Sequence, residues 1–245
     1  MTAILNILAD KGTPLVNLNI AVNDLNSCFQ CFIQVPVHLV EAERSFWTGS
    51  FLSVSEAFNY ARLLKRLCKG QELLMGIGGY TPDKEPSDYG WQRAEAALSY
   101  ACERDVSCVI NMNTSIDRSV NAQVSSVFKY ISESTIHQDM VALLYILIYP
   151  EYVLETCFRL KYINFIINKL GGEKVLTRKD IPIDVVTNRD RFRYIREVHG
   201  CATSIAKVTG LFRQSVGTSL KKSNVHDERL LAQSINDLLC LFDLS

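Results

Sequence analysis

The chain has 245 residues, with 26 basic and 26 acidic side chains and a formal net charge of zero. Hydrophobic residues make up 48% and charged residues 21%, a balance typical of globular proteins, which excludes a disordered chain. The composition is neither collagen-like nor of low complexity, and the zero net charge excludes a uniformly basic polyelectrolyte.

The N-terminal part of the chain gives three short predictions. Residues 2–9 are predicted to form a short helix. Residues 15–22 alternate apolar and polar side chains, which favours a strand. Residues 28–35 fit either a strand or a buried helix that ends at Pro36.

Stronger helical signals follow. Ser53 and Glu56 have capping-box spacing and open a helix that ends before Gly70. Helical stripes are predicted at 91–102, at 116–131 and at 136–149, the last opened by the capping pair Thr135 and Gln138. Residues 76–90, rich in glycine and interrupted by proline, are predicted to form the longest loop.

The C-terminal third continues with helices. A helix from Pro150 is predicted to stop at Gly171 and Gly172, and Thr187 and Asp190 can cap another that ends at Gly200. Residues 205–220 keep helical spacing through Gly210 and Gly217, and an amphipathic helix closes the chain.

These elements predict a mostly α fold: a multi-helix globular domain, compatible with two lobes, with one or two minor strands near the N-terminus. The predicted organisation is a larger N-terminal helical lobe (1–170), a hinge or loop (171–187), a smaller basic helical lobe (188–222) and an amphipathic C-terminal helix (223–245).

The expected compartment is the cytoplasm, with the nucleus as an alternative, and not the secretory route. The first residues lack the basic and apolar regions of a secretory signal. The longest apolar run, residues 140–150, is shorter than the roughly 20 residues that span a bilayer, so no membrane partner is expected. Most of the 8 cysteines lie in apolar stretches, which is typical of reduced, packed thiols.

Three patterns resemble catalytic or ligand motifs without completing them. Cys28 and Cys31 have the spacing of half a zinc site but lack a second ligand pair, so structural thiols are expected. The glycines at 76–79 lack the Lys-Ser/Thr of a phosphate loop, which favours a flexible loop. The four histidines belong to no nucleophile or zinc motif, so the sequence predicts no enzyme, no cofactor, no metal and no catalytic residue.

Charge is unevenly distributed along this neutral chain. Residues 1–155 carry 11 basic and 17 acidic side chains, residues 156–222 carry 14 and 5, and residues 223–245 carry 1 and 4. A segment with net charge +9 attracts an anionic partner.

The cations are densest at residues 188–196. On a helix, Arg189, Arg193 and Arg196 fall within about 60° of one another, so their guanidinium groups can contact consecutive phosphates while Tyr194 stacks on a base. The candidate nucleic-acid-binding residues are Arg178, Lys179, Arg189, Arg191, Arg193, Tyr194, Arg196, Arg213, Lys221 and Lys222. A solvated basic face, or a contact with the acidic part of a neighbouring copy, fits the same charges.

The C-terminal stripe is the second informative element. Leu231, Ile235, Leu238 and Phe242 have helical spacing and are the candidate self-association residues. The alternative is that this helix closes its own domain.

Together these patterns predict a non-enzymatic, self-assembling structural protein that binds nucleic acid, with single-stranded RNA as the expected partner, in a nucleocapsid-like role. The alternative is a helical interaction scaffold or adaptor that binds only protein. A third class, an enzyme whose site is assembled in space, is compatible with the chain but indicated by no motif.

Overall fold

The structure is a computed structural model that describes residues 1–9, 15–41, 45–149, 156–177, 179–180 and 200–243. The chain divides into two compact units. Unit 1 comprises Met1–Phe128 and Ser234–Ser245, and unit 2 comprises Lys129–Gln233.

Unit 1 is built on a five-stranded mixed sheet with the order β2-β3-β1-β4-β5. Strand β1 pairs antiparallel with β3 and β4, and β4 pairs parallel with β5 through a helical crossover, α3. The elements in chain order are β1 (Thr2–Ala9), α1 (Leu15–Cys28), β2 (Ile33–Val40), β3 (Phe46–Phe51), α2 (Val54–Leu67), β4 (Leu73–Tyr80), α3 (Ser87–Arg104), β5 (Cys108–Asn111) and α4 (Asp117–Glu133), the last of which continues into unit 2.

The predictions for residues 2–9 and 15–22 are wrong, since the predicted helix is a strand and the predicted strand is part of a helix. In the third stretch, 28–35, a strand begins at Ile33 and continues through Pro36 to Val40. Residues 2–9 form the central strand β1, which is buried along most of its length, so its sequence shows a continuous apolar run instead of an alternation. Residues 15–22 begin the helix α1. Its buried residues Leu18, Val22 and Leu25 follow helical spacing that becomes visible only when the window extends past residue 22.

The predicted glycine-rich loop over residues 76–90 is also wrong at both ends, because residues 73–80 form β4 and residues 87–90 begin α3. A Cβ atom on Gly76 would lie 2.4 Å from the carbonyl oxygen of Ala94, and one on Gly78 would lie 2.2 Å from that of Gly90. These glycines therefore let the backbone of α3 lie directly on the strand. The close approach explains a motif that suggested a phosphate-binding loop.

On each edge strand of the sheet, one residue is hydrogen-bonded by a helical asparagine. The side-chain amide of Asn26 donates to the carbonyl of Val37 on β2 and accepts from its N–H, at 2.8 and 3.1 Å. Asn121 makes the same pair of bonds with Ile110 on β5, at 2.6 and 2.8 Å. Exposed edges of sheets template aggregation, so these amides satisfy edge groups that another chain could pair with.

Unit 2 is helical among the residues that the structure describes. It contains α5 (Ile136–Ile148), α6 (Thr156–Lys169), α7 (Cys201–Thr209), α8 (Arg213–Lys222) and the first part of α9 (Val225–Asp243). Helix α5 is buried from Val141 to Ile148 and packs against α6, α7 and α8. The predicted capping box of Thr135 and Gln138 is confirmed.

The predicted helix over residues 205–220 is split in two. Helix α7 ends at Thr209, and Gly210 has φ of +74°, a left-handed conformation that only glycine adopts without strain. Spacing alone does not reveal this break, because the buried residues of α7 and α8 continue the same apolar pattern across it.

The mostly α prediction is confirmed in its coarse form, but the strands are not limited to the N-terminus. They extend to Asn111, and five are present within the described ranges. The helix predicted from Thr187 and Asp190 lies outside the described residues, as do residue 178 and residues 181–187 of the predicted 171–187 hinge. The predicted lobe boundaries stay predictions.

Candidate nucleic-acid interface

Helix α6 is anchored by one face and exposed on the other. Its inner residues Ile163, Ile166 and Ile167 are buried. Arg159 is buried as well, and its Nε donates to the carbonyl of Leu147 at the end of α5, at 2.9 Å. This bond satisfies a carbonyl that the α5 terminus leaves without a helical partner, and it fixes the register of α6.

The exposed face of α6 combines cations with aromatic rings. Lys161, Phe165 and Lys169 follow one another at intervals of four residues, and all three are exposed. The Lys169 ammonium lies 5.6 Å from the Phe165 ring centroid, and the Lys161 ammonium lies 5.5 Å from the centroid of Tyr162. The two rings meet edge to face at 6.5 Å. We call these four residues the α6 face.

The segment after α6 is held against the same helix. Asn164 donates to the carbonyl of Leu176 and accepts from its N–H, at 3.0 and 2.8 Å, and the Leu176 side chain is buried. Lys174 is exposed on this segment. Asp180 accepts the N–H and the hydroxyl of Thr177, and the backbone bond above all holds the pKa of this carboxyl below its usual range.

More exposed cations lie on α7 and α8. Lys207, Arg213, Lys221 and Lys222 are all exposed. The residue before α8, Phe212, has 86% of its surface exposed. Of the predicted nucleic-acid-binding residues, the structure places Arg213 at the start of α8, Lys221 and Lys222 at its end, and Lys179 on the segment after α6.

Exposed charge in this part of unit 2 is strongly one-sided. Within the described residues of 156–222, eight cations and two carboxylates are exposed. The cations are Lys161, Lys169, Lys174, Lys179, Lys207, Arg213, Lys221 and Lys222. Seven of these cations form no ion pair with a carboxylate of the described residues: Lys169, Lys174, Lys179, Lys207, Arg213, Lys221 and Lys222. The cation excess predicted from the sequence is thus accessible on these elements.

Six predicted residues lie outside the described residues: Arg178, Arg189, Arg191, Arg193, Tyr194 and Arg196. Their role stays a prediction. The sequence analysis missed the four residues of the α6 face and Phe212. The sequence already contained the signal for the α6 face, because Lys161, Phe165 and Lys169 recur at intervals of four, which places them on one side of a helix.

The C-terminal helix is packed into its own chain along part of the predicted stripe. Ile235 is fully buried, whereas Leu231 and Leu238 are partly exposed, and the side chain of Phe242 lies outside the described residues. In unit 1, the Asn236 side chain accepts a hydrogen bond from Ser55 on α2 at 2.7 Å. The stripe thus contributes to the fold of one chain, and its role in self-association stays a prediction.

The thiols show no arrangement of chemical interest in the described part of the chain. Cys28 is buried and Cys31 is exposed, and no group of three His, Cys, Asp or Glu side chains there could hold a metal ion. Burial raises the pKa of Cys68 to about 12, and it also raises that of Cys108. Such thiols stay protonated and are poor nucleophiles.

Comparisons with protein-family models, with curated proteins and with solved structures found no match to this chain. Among the helices of the described residues, none is both long and apolar enough to cross a lipid bilayer.

Proposed function

We propose that this protein binds single-stranded nucleic acid, with RNA as the expected ligand, through the basic surface of residues 156–222. The observation that carries the proposal is the α6 face, where two exposed lysines lie beside the exposed ring of Phe165 and the half-buried ring of Tyr162. Proteins that bind single strands combine cations that follow the phosphates with rings on which bases stack. Planar rings accept any base, so such binding depends on salt more than on sequence.

The remaining exposed cations support the same proposal. Each cation that neutralises a phosphate releases condensed counterions, which strengthens binding at low salt. Lys207, Arg213, Lys221 and Lys222 supply such charges on neighbouring helices of unit 2, where α7 packs against α8. Arg189, Arg193 and Arg196 add to this surface in the proposal.

The proposal includes self-assembly, which gives the protein a structural, nucleocapsid-like role without catalysis. A scaffold that binds only protein is the second candidate, and the exposed Phe212 favours it because exposed aromatics often anchor protein contacts. The two candidates differ in whether assembly and binding respond to nuclease and to salt.

The first test is binding of a labelled single-stranded RNA oligomer, followed by fluorescence anisotropy at low protein concentration. Affinity should fall steeply between about 50 mM and about 200 mM salt. Phe165→Ala should weaken binding by about 1–3 kcal/mol through lost stacking. Phe212→Ala is the matched control, because it removes an exposed ring outside the α6 face, and its affinity should equal that of the wild type.

The second test concerns the arginines predicted from the sequence. Substituting Arg189, Arg193 and Arg196 by Glu should abolish RNA binding and leave the melting temperature within a few degrees of the wild type. A preparation with the absorbance ratio of pure protein, together with no salt-dependent RNA binding, would refute the proposal.

A further inference from the structure

A groove runs beside α3 on one face of the unit 1 sheet. Helix α3 covers β4, β1 and β5, so the part of this face toward β3 is left partly open. The resulting groove has a volume of about 500 Å³. Its apolar lining includes Leu8 on β1, Phe46 on β3, and Trp91 and Leu98 on α3.

The groove is both aromatic and acidic. Trp91 keeps 40% of its surface exposed at one side. Glu95 and Glu103 lie on the same side of α3, and both are exposed. Neither carboxylate forms an ion pair with a cation of the described residues. A ligand that joins an apolar ring to a positive charge matches this lining.

Unit 2 presents a group of that kind at the turn between α7 and α8. Phe212 is the most exposed of the large apolar residues that the structure describes, at 86%. Arg213 follows it and is exposed as well. An isolated exposed ring is common on protein surfaces, so the inference depends on the match between the two surfaces and not on exposure alone.

The backbone that carries Phe212 is well defined. The N–H of Gly210 donates to the carbonyl of Ala206, and the N–H of Leu211 donates to the hydroxyl of Thr209, at 2.9 and 3.3 Å. The carbonyl of Phe212 accepts the first helical bond of α8 from Val216, at 3.1 Å. A ring held on a fixed turn loses little conformational entropy when it binds.

We propose that Phe212 of one copy inserts into the α3 groove of a second copy, with Arg213 placed against Glu95 and Glu103. This inference rests on the self-assembling part of the proposed function and names the surfaces that perform it. The contact is independent of the C-terminal stripe and of the α6 face.

Charge complementarity points to a second copy as the occupant. Within the described residues of unit 1, seven carboxylates and three cations are exposed, whereas residues 156–222 expose eight cations and two carboxylates. Facing surfaces of opposite charge raise the rate of association and select the partner. One chain carries both halves of this contact.

Phe212 belongs to unit 2 and the groove to unit 1, so each copy offers both halves of the contact. Copies that join in series form chains or rings, whereas two copies that exchange the contact form a dimer. A contact made by a single aromatic anchor buries little area, which implies weak association whose extent rises with protein concentration. Bound nucleic acid would strengthen it by holding neighbouring copies together.

The experiment is sedimentation velocity of the full chain after nuclease treatment, at protein concentrations up to about 100 µM. The wild type should show an average mass that rises with concentration. Phe212→Ser should lower the association constant at least tenfold. Phe165→Ser, which removes an exposed ring from the α6 face, should associate like the wild type.

The groove is tested by charge reversal. Glu95→Lys combined with Glu103→Lys should abolish association, and Asp83→Lys, an exposed carboxylate of unit 1 that does not line the groove, should leave it unchanged. Mixing the Phe212→Ser chain with the groove-reversed chain leaves one intact surface on each, so the mixture should form dimers and nothing larger.

The inference would be overturned by a wild type that stays monomeric, or by equal association of Phe212→Ser and Phe165→Ser. It would also be overturned if Leu241→Lys, on the exposed side of α9, lost association while Phe212→Ser associated normally. Failure of RNA binding in the anisotropy test would leave these results intact. The two proposals can therefore fail separately.

Discussion

The two units use chemically suggestive residues in opposite ways. In unit 1, the glycines of β4 allow α3 to pack directly on the strand. The asparagine amides of α1 and α4 form hydrogen bonds with the edge strands of the sheet. In unit 2, the lysines and aromatic rings of the α6 face make local contacts with one another, and Lys161, Phe165 and Lys169 remain exposed. A residue whose type suggests binding or catalysis is therefore evidence for function only where packing or hydrogen bonding in the fold does not already explain it.

The largest expected effect concerns the glycines. In Gly78→Ala, the new Cβ would overlap the backbone of α3, at 2.2 Å from the Gly90 oxygen and 2.3 Å from the Ala94 nitrogen. We expect a loss of about 3 kcal/mol or more in the free energy of unfolding, measured by urea denaturation.

Gly217→Ala is the matched change in unit 2. No heavy atom lies within 4 Å of its ideal Cβ, and the residue is inside α8. Alanine should therefore increase the free energy of unfolding by about 0.5–1 kcal/mol through its higher helix propensity. Equal effects of the two substitutions would contradict the comparison.

The second prediction concerns asparagines whose side-chain amide bonds to both the N–H and the carbonyl of one distant residue. We call them asparagine clamps, and they occur in both units. Asn121→Ala removes two bonds and leaves the N–H and carbonyl of Ile110 on the sheet edge without this partner. We expect a loss of about 1–3 kcal/mol in the free energy of unfolding, together with a stronger tendency to aggregate.

Asn164→Ala should produce a loss of similar size through Leu176 in unit 2. Asn168→Ala is the control, because Asn168 is exposed on the same helix, and its change should stay within about 0.5 kcal/mol. A clamp variant as stable as the control would show that water replaces the amide without cost.

The smallest effect concerns an ion pair of unit 1. Arg93 donates to Glu85 at 2.6 Å and to the carbonyl of Gly79 on β4 at 2.7 Å. The hydrogen bond from Arg93 is the main cause that lowers the pKa of the Glu85 carboxyl. Because the folded state lowers this pKa, the pair stabilises the protein above the unfolded value of about 4.3, and the gain is lost as the pH falls through the folded value.

Glu85→Gln should therefore reduce the melting temperature slightly at neutral pH, and the difference from the wild type should shrink below about pH 4. Thermal unfolding followed by circular dichroism at several pH values measures this trend. A difference that persists unchanged in acid would show that the ion pair does not stabilise the fold.

Much of unit 2 could be predicted from sequence, and less of unit 1. Thr135 and Gln138 form the expected capping box because a cap depends on residues three positions apart. The strand β1 could not be predicted in the same way, because it is stabilised by pairing with β3 and β4, the second of which lies about seventy residues away in the chain.

The candidate site, like the fold, was only partly predictable from the sequence. The cation excess of residues 156–222 was evident from the sequence, since charge is counted without coordinates. The acidic groove that receives Phe212 in our proposal was not evident from the sequence. Its residues Phe46, Trp91 and Glu103 come together only because α3 packs on the sheet that contains β3.

The starts of α2 and α5, the apolar character of α5 and the segregation of charge could be predicted from the amino-acid sequence, because they can be recognised without knowing which distant segments come together. The tertiary structure alone decided that β4 is a strand under α3, that Gly210 divides two helices, and which faces stay exposed. Those outcomes depend on contacts between distant segments, whose energies no local pattern contains.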